Sequence, residues 1–206
     1  MRLLHIEGSP RKQRSTSLDI ARSFLDRWRT SHPDGTVDAI NVWEADLPPF
    51  DGPALDAKYA GLSGGTLDDD QRRVWATIGA LAGRVRAADT LLISVPMWNF
   101  GIPYRLKHLI DVVSQKDMLF TVDADGLHGL MSGKHAVIVA ARGVRLGGDY
   151  PEADFDHQVA YLRTWCGMIG ITDVEAITVE GTLEGPEADE ASRVTGRLEA
   201  AALADA

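Results

Sequence analysis

Two uninterrupted apolar runs constrain the fold more than any other feature of the sequence. They cover residues 90–95 (Thr-Leu-Leu-Ile-Ser-Val) and residues 136–141 (Ala-Val-Ile-Val-Ala-Ala). A strand with one solvated face alternates apolar and polar residues, whereas a strand covered on both faces is apolar throughout. Both runs are therefore predicted to be central strands of a parallel sheet with helices on its two faces.

The rest of the chain alternates strand patterns with helical patterns. Residues 47–53, extended by the glycine-rich residues 61–65, are predicted to be an irregular excursion. The absence of internal repeats and long linkers indicates one α/β domain over residues 1–206, built on an open, doubly wound parallel sheet. Three further strands and five helices are predicted, over residues 2–6, 37–42 and 172–179 and over residues 18–28, 66–87, 103–113, 155–169 and 187–204.

Composition excludes several classes of protein. The single cysteine, Cys166, rules out an intrachain disulfide, and no apolar run is long enough for a membrane span. His5 and Glu7 interrupt the first apolar run, so a cytoplasmic protein without a secretory signal is expected. The net charge of −9 argues against nucleic acid as a partner. Seven basic residues against three acidic ones in residues 1–30 indicate either a local anionic ligand or a solvated helix face.

The loop after the first strand reads Gly-Ser-Pro-Arg-Lys-Gln-Arg-Ser-Thr-Ser over residues 8–17. Its four hydroxyls precede a predicted helix, whose free N–H groups and positive end favour an anion such as phosphate. The loop lacks the G-x-x-x-x-G-K-[ST] and G-x-G-x-x-G patterns, which disfavours ATP, GTP and a dinucleotide-binding Rossmann site. A helix N-cap formed by Ser15 or Ser17 would explain the same residues, so both interpretations stay open.

The loop after the first apolar run reads Pro-Met-Trp-Asn-Phe-Gly-Ile-Pro over residues 96–103. Three large apolar side chains on one loop favour a surface that covers a flat, apolar ligand. Asn99 can donate and accept hydrogen bonds at the edge of a heteroaromatic ring, and Gly101 would let a backbone N–H approach it closely. The alternative is that Trp98 and Phe100 pack into the core of the protein itself.

These two loops resemble those of the FMN-dependent NADH-azoreductases. Gly-Ser-Pro-Arg with Ser15-x-Ser17 and, above all, Pro-Met-Trp-Asn-Phe-Gly-Ile-Pro carry the likeness, which covers nearly the whole chain. Members of that family are flavodoxin-like, homodimeric quinone and azo-dye reductases. The resemblance implies a flavodoxin-like five-stranded sheet, bound FMN, NADH or NADPH as electron donor, and a homodimer that passes two electrons to a quinone or azo compound.

The resemblance also implies roles for individual residues. The family's phosphate site matches Ser9, Ser15, Thr16 and Ser17. Its flavin ring and ribityl contacts match Pro96, Met97, Trp98, Asn99, Phe100 and Gly101, of which Asn99 and Gly101 would tune the flavin. The segment at the pyrimidine edge matches Ala141, Arg142 and Gly143, and the substrate pocket would include Phe120, Trp98 and Val144. No side chain is assigned as a catalytic acid or base, and no metal ligand is expected.

The sequence departs from the family pattern in two places. Trp98 replaces the usual tyrosine, which keeps an aromatic ring but loses a hydroxyl. Residues 141–144, Ala-Arg-Gly-Val, replace the usual Ser-Arg-Gly-Gly. Because Val144 does not readily adopt a positive φ, residues 142–150 are expected to follow a different path, made flexible by Gly147 and Gly148.

Two other functions remain open, an FMN electron carrier that does not use NADH directly and a flavodoxin-like module without a ligand. Within the sequence, His157 is expected to be a solvated helix residue rather than a proton donor, and Cys166 a core thiol. The homodimer is expected to draw on residues 48–65 and 117–129, since the latter carry more apolar side chains than a solvated connection would expose.

Overall fold

The computed structural model describes residues 1–62 and 64–204. A short 3-10 turn at Lys12–Arg14 precedes the first helix. The remaining elements, in chain order, are β1 (Arg2–Glu7), α1 (Thr16–Ser31), β2 (Thr36–Asn41), α2 (Gly52–Leu62), α3 (Asp69–Ala87), β3 (Thr90–Pro96), α4 (Tyr104–Val113), β4 (Phe120–Asp123), β5 (Gly126–Gly129), β6 (His135–Ala141), α5 (Glu152–Phe155), α6 (Val159–Ile169), β7 (Asp173–Val179) and α7 (Pro186–Leu203).

Five of these strands form one parallel sheet in the order β2-β1-β3-β6-β7. The two apolar runs are its third and fourth strands, and residues 90–95 and 136–141 are buried throughout. The prediction of a doubly wound parallel sheet is therefore confirmed. The chain leaves β1 for β2 on one side and then crosses to β3 on the other, which places the switch in strand order between β1 and β3.

Helices cover both faces of the sheet. One apolar core lies between the sheet and the helices α3, α4 and α6, and the other lies between the sheet and α1 with α7. The helix α3 begins at Asp69 rather than at the predicted residue 66, because Asp68 and Gln71 form a reciprocal capping box at its first turn. Among the described residues, no helix is long and apolar enough to cross a membrane.

The excursion predicted over residues 47–65 is partly wrong, because residues 52–62 form α2. Pro53 lies in the first turn of this helix, and the Asp51 carboxylate accepts a hydrogen bond from the Ala54 N–H at 3.5 Å. An Asp followed by a Pro at the start of an alanine-rich stretch is a helix-start signal that the nearby glycines obscured. Ser63, inside the predicted excursion, lies outside the described residues.

The segment 117–129, predicted as a connection, is largely an antiparallel hairpin of β4 and β5. The turn residues are Ala124 and Asp125, and Gly126, the first residue of β5, has a φ of +120°. An Asp-Gly pair at the end of such a turn is the signal that could have predicted the hairpin. The hairpin packs on the end of α6, where a Cβ on Gly129 would overlap the backbone of Gly170. Close backbone contact therefore fixes the hairpin to the body of the protein.

His5 is a buried titratable group in the centre of the sheet. Its side chain is 3% exposed, and its Nε2 lies 2.9 Å from Ser94 Oγ on the neighbouring strand. Burial, with a smaller contribution from Arg29, lowers the pKa of His5 to about 4. The carboxylate of Glu7, 3.5 Å from His5 Nδ1, does not offset this effect, and burial raises the pKa of Glu7 itself.

We predict that protonation of His5 in the unfolded chain destabilises the protein in mild acid. The unfolded chain takes up this proton near pH 6.5, whereas the folded protein takes it up near pH 4. Stability should therefore fall as the pH drops through this window, by up to about 3 kcal/mol from this residue. Urea unfolding at several pH values should show that the free energy of unfolding depends less steeply on pH in His5→Gln than in the wild type. Equal slopes for the wild type and His5→Gln would contradict the assignment.

Candidate functional site

Three loops meet at the carboxyl edge of the sheet, beside the switch in strand order. They follow β1, β3 and β6, which are neighbours in the sheet. The Gly8 N–H donates to Ser94 O at 2.8 Å, and the Met97 N–H donates to Ala141 O at 2.7 Å. Each loop therefore begins at a fixed distance from the next strand, in the position where parallel sheets bind ligands.

The first loop places four buried hydroxyls at the N-terminus of α1, which has 16 residues. Ser15 Oγ accepts from the Leu18 N–H at 3.4 Å and lies 3.2 Å from Ser17 Oγ. Ser15 is therefore a helix N-cap, as the alternative interpretation required. A cap needs only one hydroxyl, however, and Ser9, Ser15, Thr16 and Ser17 are all buried at this positive helix end.

The second loop is a tight turn with an unusual backbone. The Trp98 N–H donates to Gly101 O and the Gly101 N–H donates to Trp98 O, both at 2.9 Å. Between them, Asn99 and Phe100 have φ angles of +49° and +65°. Asn tolerates this left-handed conformation, whereas for Phe it is strained, and such strain clusters at functional sites. The Gly101 N–H is therefore used within the turn itself.

The turn separates its two aromatic rings into different clusters. Trp98 lies 5.5 Å from Trp43 and 6.4 Å from Tyr104, measured between ring centroids. Phe100 lies 4.8 Å from Phe155, with Tyr150 beside both rings. Trp98 is nevertheless 38% exposed, so it is not a core residue. The loop thus has an aromatic wall on each side.

Sequence reasoning missed most of the partners in these walls. Trp43 follows β2, and its Nε1–H donates to Gly8 O at 3.0 Å, which links it to the first loop. Its position after a strand adjacent to β1 is the signal that could have found it. Tyr104, Tyr150 and Phe155 lie on separate segments, and nothing in their local sequence brings them together.

The third loop contains a buried cation. The side chain of Arg142 is 1% exposed, and its guanidinium donates to Asp156 Oδ2 at 2.7 Å and Glu180 Oε1 at 3.0 Å. The Arg142 N–H donates to Val179 O, and its carbonyl accepts from Thr182 N–H. Arg142 therefore binds within the protein, and any ligand contact of this segment falls to its neighbours.

Two glycines shape the path of this loop. Gly147 and Gly148 both have positive φ angles, and Gly147 exchanges two backbone hydrogen bonds with Tyr150. Val144 keeps a negative φ and is 38% exposed. Gly143 packs against Leu183, whose Cδ1 would lie 2.7 Å from an added Cβ.

A cavity of about 440 Å³ opens beside the second loop. Its lining is mostly aromatic and is formed by Trp98, Asn99, Ile102, Tyr104, Lys107, His157 and Tyr161. His157 was expected on a helix, but it lies between α5 and α6, because α5 ends at Phe155. Phe120 and Val144, expected in the substrate pocket, do not line this cavity. Phe120 lies on β4.

The last two features concern the cysteine and the side chains that could bind a metal ion. Cys166 is buried in the core, and burial raises its pKa to about 12, which confirms the expected core thiol. Within residues 1–62 and 64–204, no group of three or more histidine, cysteine, aspartate or glutamate side chains is arranged to hold a metal ion.

Comparison with known proteins places these features in a family. A family model described as having a flavodoxin-like fold matches residues 1–203. The azoreductase from Bacillus anthracis superposes with a TM-score of 0.90 at 24% identity, over 100% of this chain and 99% of that one. An FMN-dependent NADH-azoreductase from the same species, solved in complex with FMN, gives 0.88 at 23% identity over 99% and 100%. These structures share the fold of this chain.

Two relatives are more similar to this chain in sequence than these solved structures are. FMN-dependent NADH:quinone oxidoreductase 2 of Pseudomonas syringae pv. tomato is 52% identical over 206 residues, covering 100% of this chain and 99% of the relative. FMN-dependent NADH:quinone oxidoreductase 9 of Burkholderia lata is 47% identical over 187 residues, covering 89% of each. The chain therefore belongs to the flavodoxin-like family and, within it, to the family of these oxidoreductases.

Proposed function

We propose that this protein binds FMN at the carboxyl edge of its sheet and transfers two electrons from NADH or NADPH to quinones and azo compounds. The observation that carries the proposal is the position of a buried hydroxyl cluster next to a strained, aromatic-flanked turn at the switch in strand order. The names of relatives at 52% and 47% identity support the same reaction. They do not favour an electron carrier that bypasses NADH.

The hydroxyl cluster fits the phosphate of FMN in its chemistry. Phosphate accepts hydrogen bonds only, and Ser9, Ser15, Thr16 and Ser17 can all donate. Ser15 can act as cap and ligand together when Ser17 is the donor in their 3.2 Å contact, because the Ser15 oxygen then accepts from Leu18 N–H while its own hydrogen is free to donate. The N-terminus of α1 adds its positive end. The ion pair of Lys12 with Glu44 leaves Arg11 and Arg14 as the exposed cations nearby.

The second loop fits a flat ring. Bound FMN would supply the hydride chemistry, and the protein's part is to bind, orient and shield it. Trp98 and Phe100 offer aromatic surfaces, and the Asn99 amide can pair with polar ring-edge atoms. Pro96, Met97 and Gly101 complete the proposed contact surface. In residues 141–143, the backbones of Ala141 and Gly143 would meet the pyrimidine edge, because the Arg142 guanidinium is turned inward.

We further propose a cytoplasmic homodimer, with one domain over residues 1–206 in each copy. The cavity is open on one side, and Phe120 lies outside its lining. The hairpin that carries Phe120 exposes Val122 and Leu127, which are 48% and 49% accessible. Contact with a second copy would cover these side chains and add Phe120 to the substrate pocket, with Val144 at its edge.

The activity has a direct test. Protein purified with FMN should oxidise NADH rapidly only when benzoquinone is present, and flavin released by denaturation should be FMN. Recovery of FAD alone would contradict the single-phosphate site. Bound FMN without NADH oxidation would instead indicate an electron carrier, and failure to bind any flavin would indicate a module without this ligand.

The phosphate site predicts the effect of removing single hydroxyls. Ser15→Ala and Ser17→Ala should each weaken FMN binding by about tenfold to a hundredfold, since a hydrogen bond to a charged group contributes about 1.5–3 kcal/mol. Fluorescence titration with FMN measures this. Ser132→Ala, an exposed serine near the opposite edge of the sheet, is the matched control. Reduced melting temperature with unchanged FMN affinity would show that Ser15 and Ser17 serve only the helix.

The homodimer predicts that charge on the hairpin separates assembly from cofactor binding. The double variant Val122→Glu/Leu127→Glu should be a monomer by light scattering. Its NADH:quinone turnover should fall by about tenfold or more, because the substrate pocket loses one wall. FMN binding should persist. Leu198→Glu, on the exposed face of α7, should remain dimeric and active. A fully active monomer would refute the shared site.

A further inference from the structure

His157 projects into the cavity from a short connection between two helices. Its N–H donates to Phe100 O at 3.0 Å, so the backbone of this connection is bonded to the strained turn. Its imidazole lines the cavity together with the rings of Trp98, Tyr104 and Tyr161. A neutral or charged imidazole can donate a hydrogen bond to a ligand lying against those rings.

The two residues that flank His157 point the other way. Asp156 Oδ2 accepts from Arg142 Nη2 at 2.7 Å, and Gln158 Oε1 accepts from Arg142 Nε at 3.2 Å. Gln158 also donates from Nε2 to Val95 O at 3.1 Å, at the end of β3. One guanidinium therefore binds both neighbours of His157 from inside the protein, which leaves the residue between them facing the cavity.

This arrangement is stiff because it is buried and charged. Asp156, Gln158 and Arg142 are each at most 9% exposed. Leaving any of them unpaired would strand a polar or charged group away from water, which is strongly unfavourable. Asp156 Oδ1 also accepts from the Gln158 and Val159 N–H groups at 3.0 and 2.8 Å, which fixes the start of α6.

We propose that His157 is a recognition residue for the electron acceptor, donating a hydrogen bond to a carbonyl or ionised oxygen of a flat aromatic ligand, and that Arg142 is the residue that positions it. The inference depends on the proposed function only for the ligand's identity as an acceptor. It names the substrate class as planar aromatic compounds with an oxygen substituent at the ring edge, bound preferentially when that oxygen is anionic.

The charges around His157 favour this preference. Lys107 and Tyr104 on α4 and Tyr161 on α6 are the titratable side chains that share the cavity lining. Lys107 is a cation at every physiological pH, and its ion pair with Asp111 at 2.7 Å raises its pKa further. The nearest carboxylate in sequence, Asp156, is turned inward to Arg142, which also lies 3.8 Å from Glu152. Among the described residues, the cavity lining therefore includes the Lys107 ammonium group and no carboxylate.

Two redox-inert probes test the role of His157 without turnover. FMN-loaded protein, with no NADH present, is titrated with 2-naphthoate and with the neutral 2-naphthamide by calorimetry. His157→Gln should weaken naphthoate binding about tenfold and leave naphthamide binding within about twofold of wild type, because a hydrogen bond to a charged group contributes more than one to a neutral group.

Lys107→Gln is the matched control for charge alone. It should weaken naphthoate binding by the same factor with and without His157→Gln, because the lysine charge acts independently of the imidazole. Wild-type naphthoate affinity in His157→Gln would overturn the proposal. Equal weakening of naphthoate and naphthamide in that variant would also overturn it, since a general loss of fit is not recognition of an oxygen.

A double-mutant cycle tests the positioning by Arg142. Arg142→Lys keeps the charge but cannot reach both neighbours of His157, so it should weaken naphthoate binding nearly as much as His157→Gln. Adding Arg142→Lys to His157→Gln should then cost no more than about a further twofold. Full additivity would show that Arg142 does not act through His157. If Arg142→Lys fails to fold, Asp156→Asn replaces it with the same expectation.

These titrations are independent of catalysis. Pocket binding that follows the predicted pattern in a protein unable to oxidise NADH would overturn the proposed function and leave His157 as a ligand-recognition residue. Normal NADH:quinone turnover with no binding of either probe would overturn the inference and leave the proposed function intact.

Discussion

The loops of the site begin with backbone hydrogen bonds that continue the sheet past its last paired residues. The Gly8 N–H donates to Ser94 O on β3, and the Met97 N–H donates to Ala141 O on β6. The Arg142 N–H donates to Val179 O on the edge strand β7. A parallel ladder is buried on both faces and opens only with the whole core. The first atoms of each loop therefore inherit the rigidity of the sheet, and the residues beyond them start from fixed positions.

Burial of Arg142 extends this rigidity into the third loop and the start of α6. A charge removed from water is tolerated only with well-placed partners, and Asp156 and Glu180 provide them at 2.7 and 3.0 Å. These three residues join three segments of the chain, which follow β6, precede α6 and follow β7. Replacement by apolar residues could preserve stability, so the ionic arrangement is better explained by the geometry that it imposes on the residues between its ends.

Much of the sheet was predictable because its signal is local. The apolar runs at 90–95 and 136–141 are typical of strands covered on both faces, and the start of α3, predicted at residue 66, lies three residues later, at Asp69. The hairpin of β4 and β5 was missed because its strands have four residues each and owe their stability to packing against Gly170. The α2 helix was missed because its flanking glycines resemble a loop.

The residues of the candidate site likewise fall into those that a local sequence pattern indicated and those that it did not. Its hydroxyl cluster and aromatic turn are contiguous in sequence, so the residues themselves suggested a ligand. Trp43, Tyr150 and Phe155 reach the site from other elements, and His157 was assigned to a helix that in fact starts two residues later. Contacts between segments distant in sequence depend on the path of the chain, which no local pattern contains.

The left-handed backbone of Phe100 also has a consequence for engineering. A non-glycine residue in this conformation costs about 1–3 kcal/mol, which the fold must recover elsewhere. A selection for higher thermal stability would favour Phe100→Gly, because glycine adopts the left-handed conformation without this cost. The same change would delete the ring that contacts Phe155 and free the turn to sample other shapes. Thermal stability and a well-defined binding site therefore place opposite demands on residue 100. Variants engineered for stability should retain Phe100 despite its strained backbone.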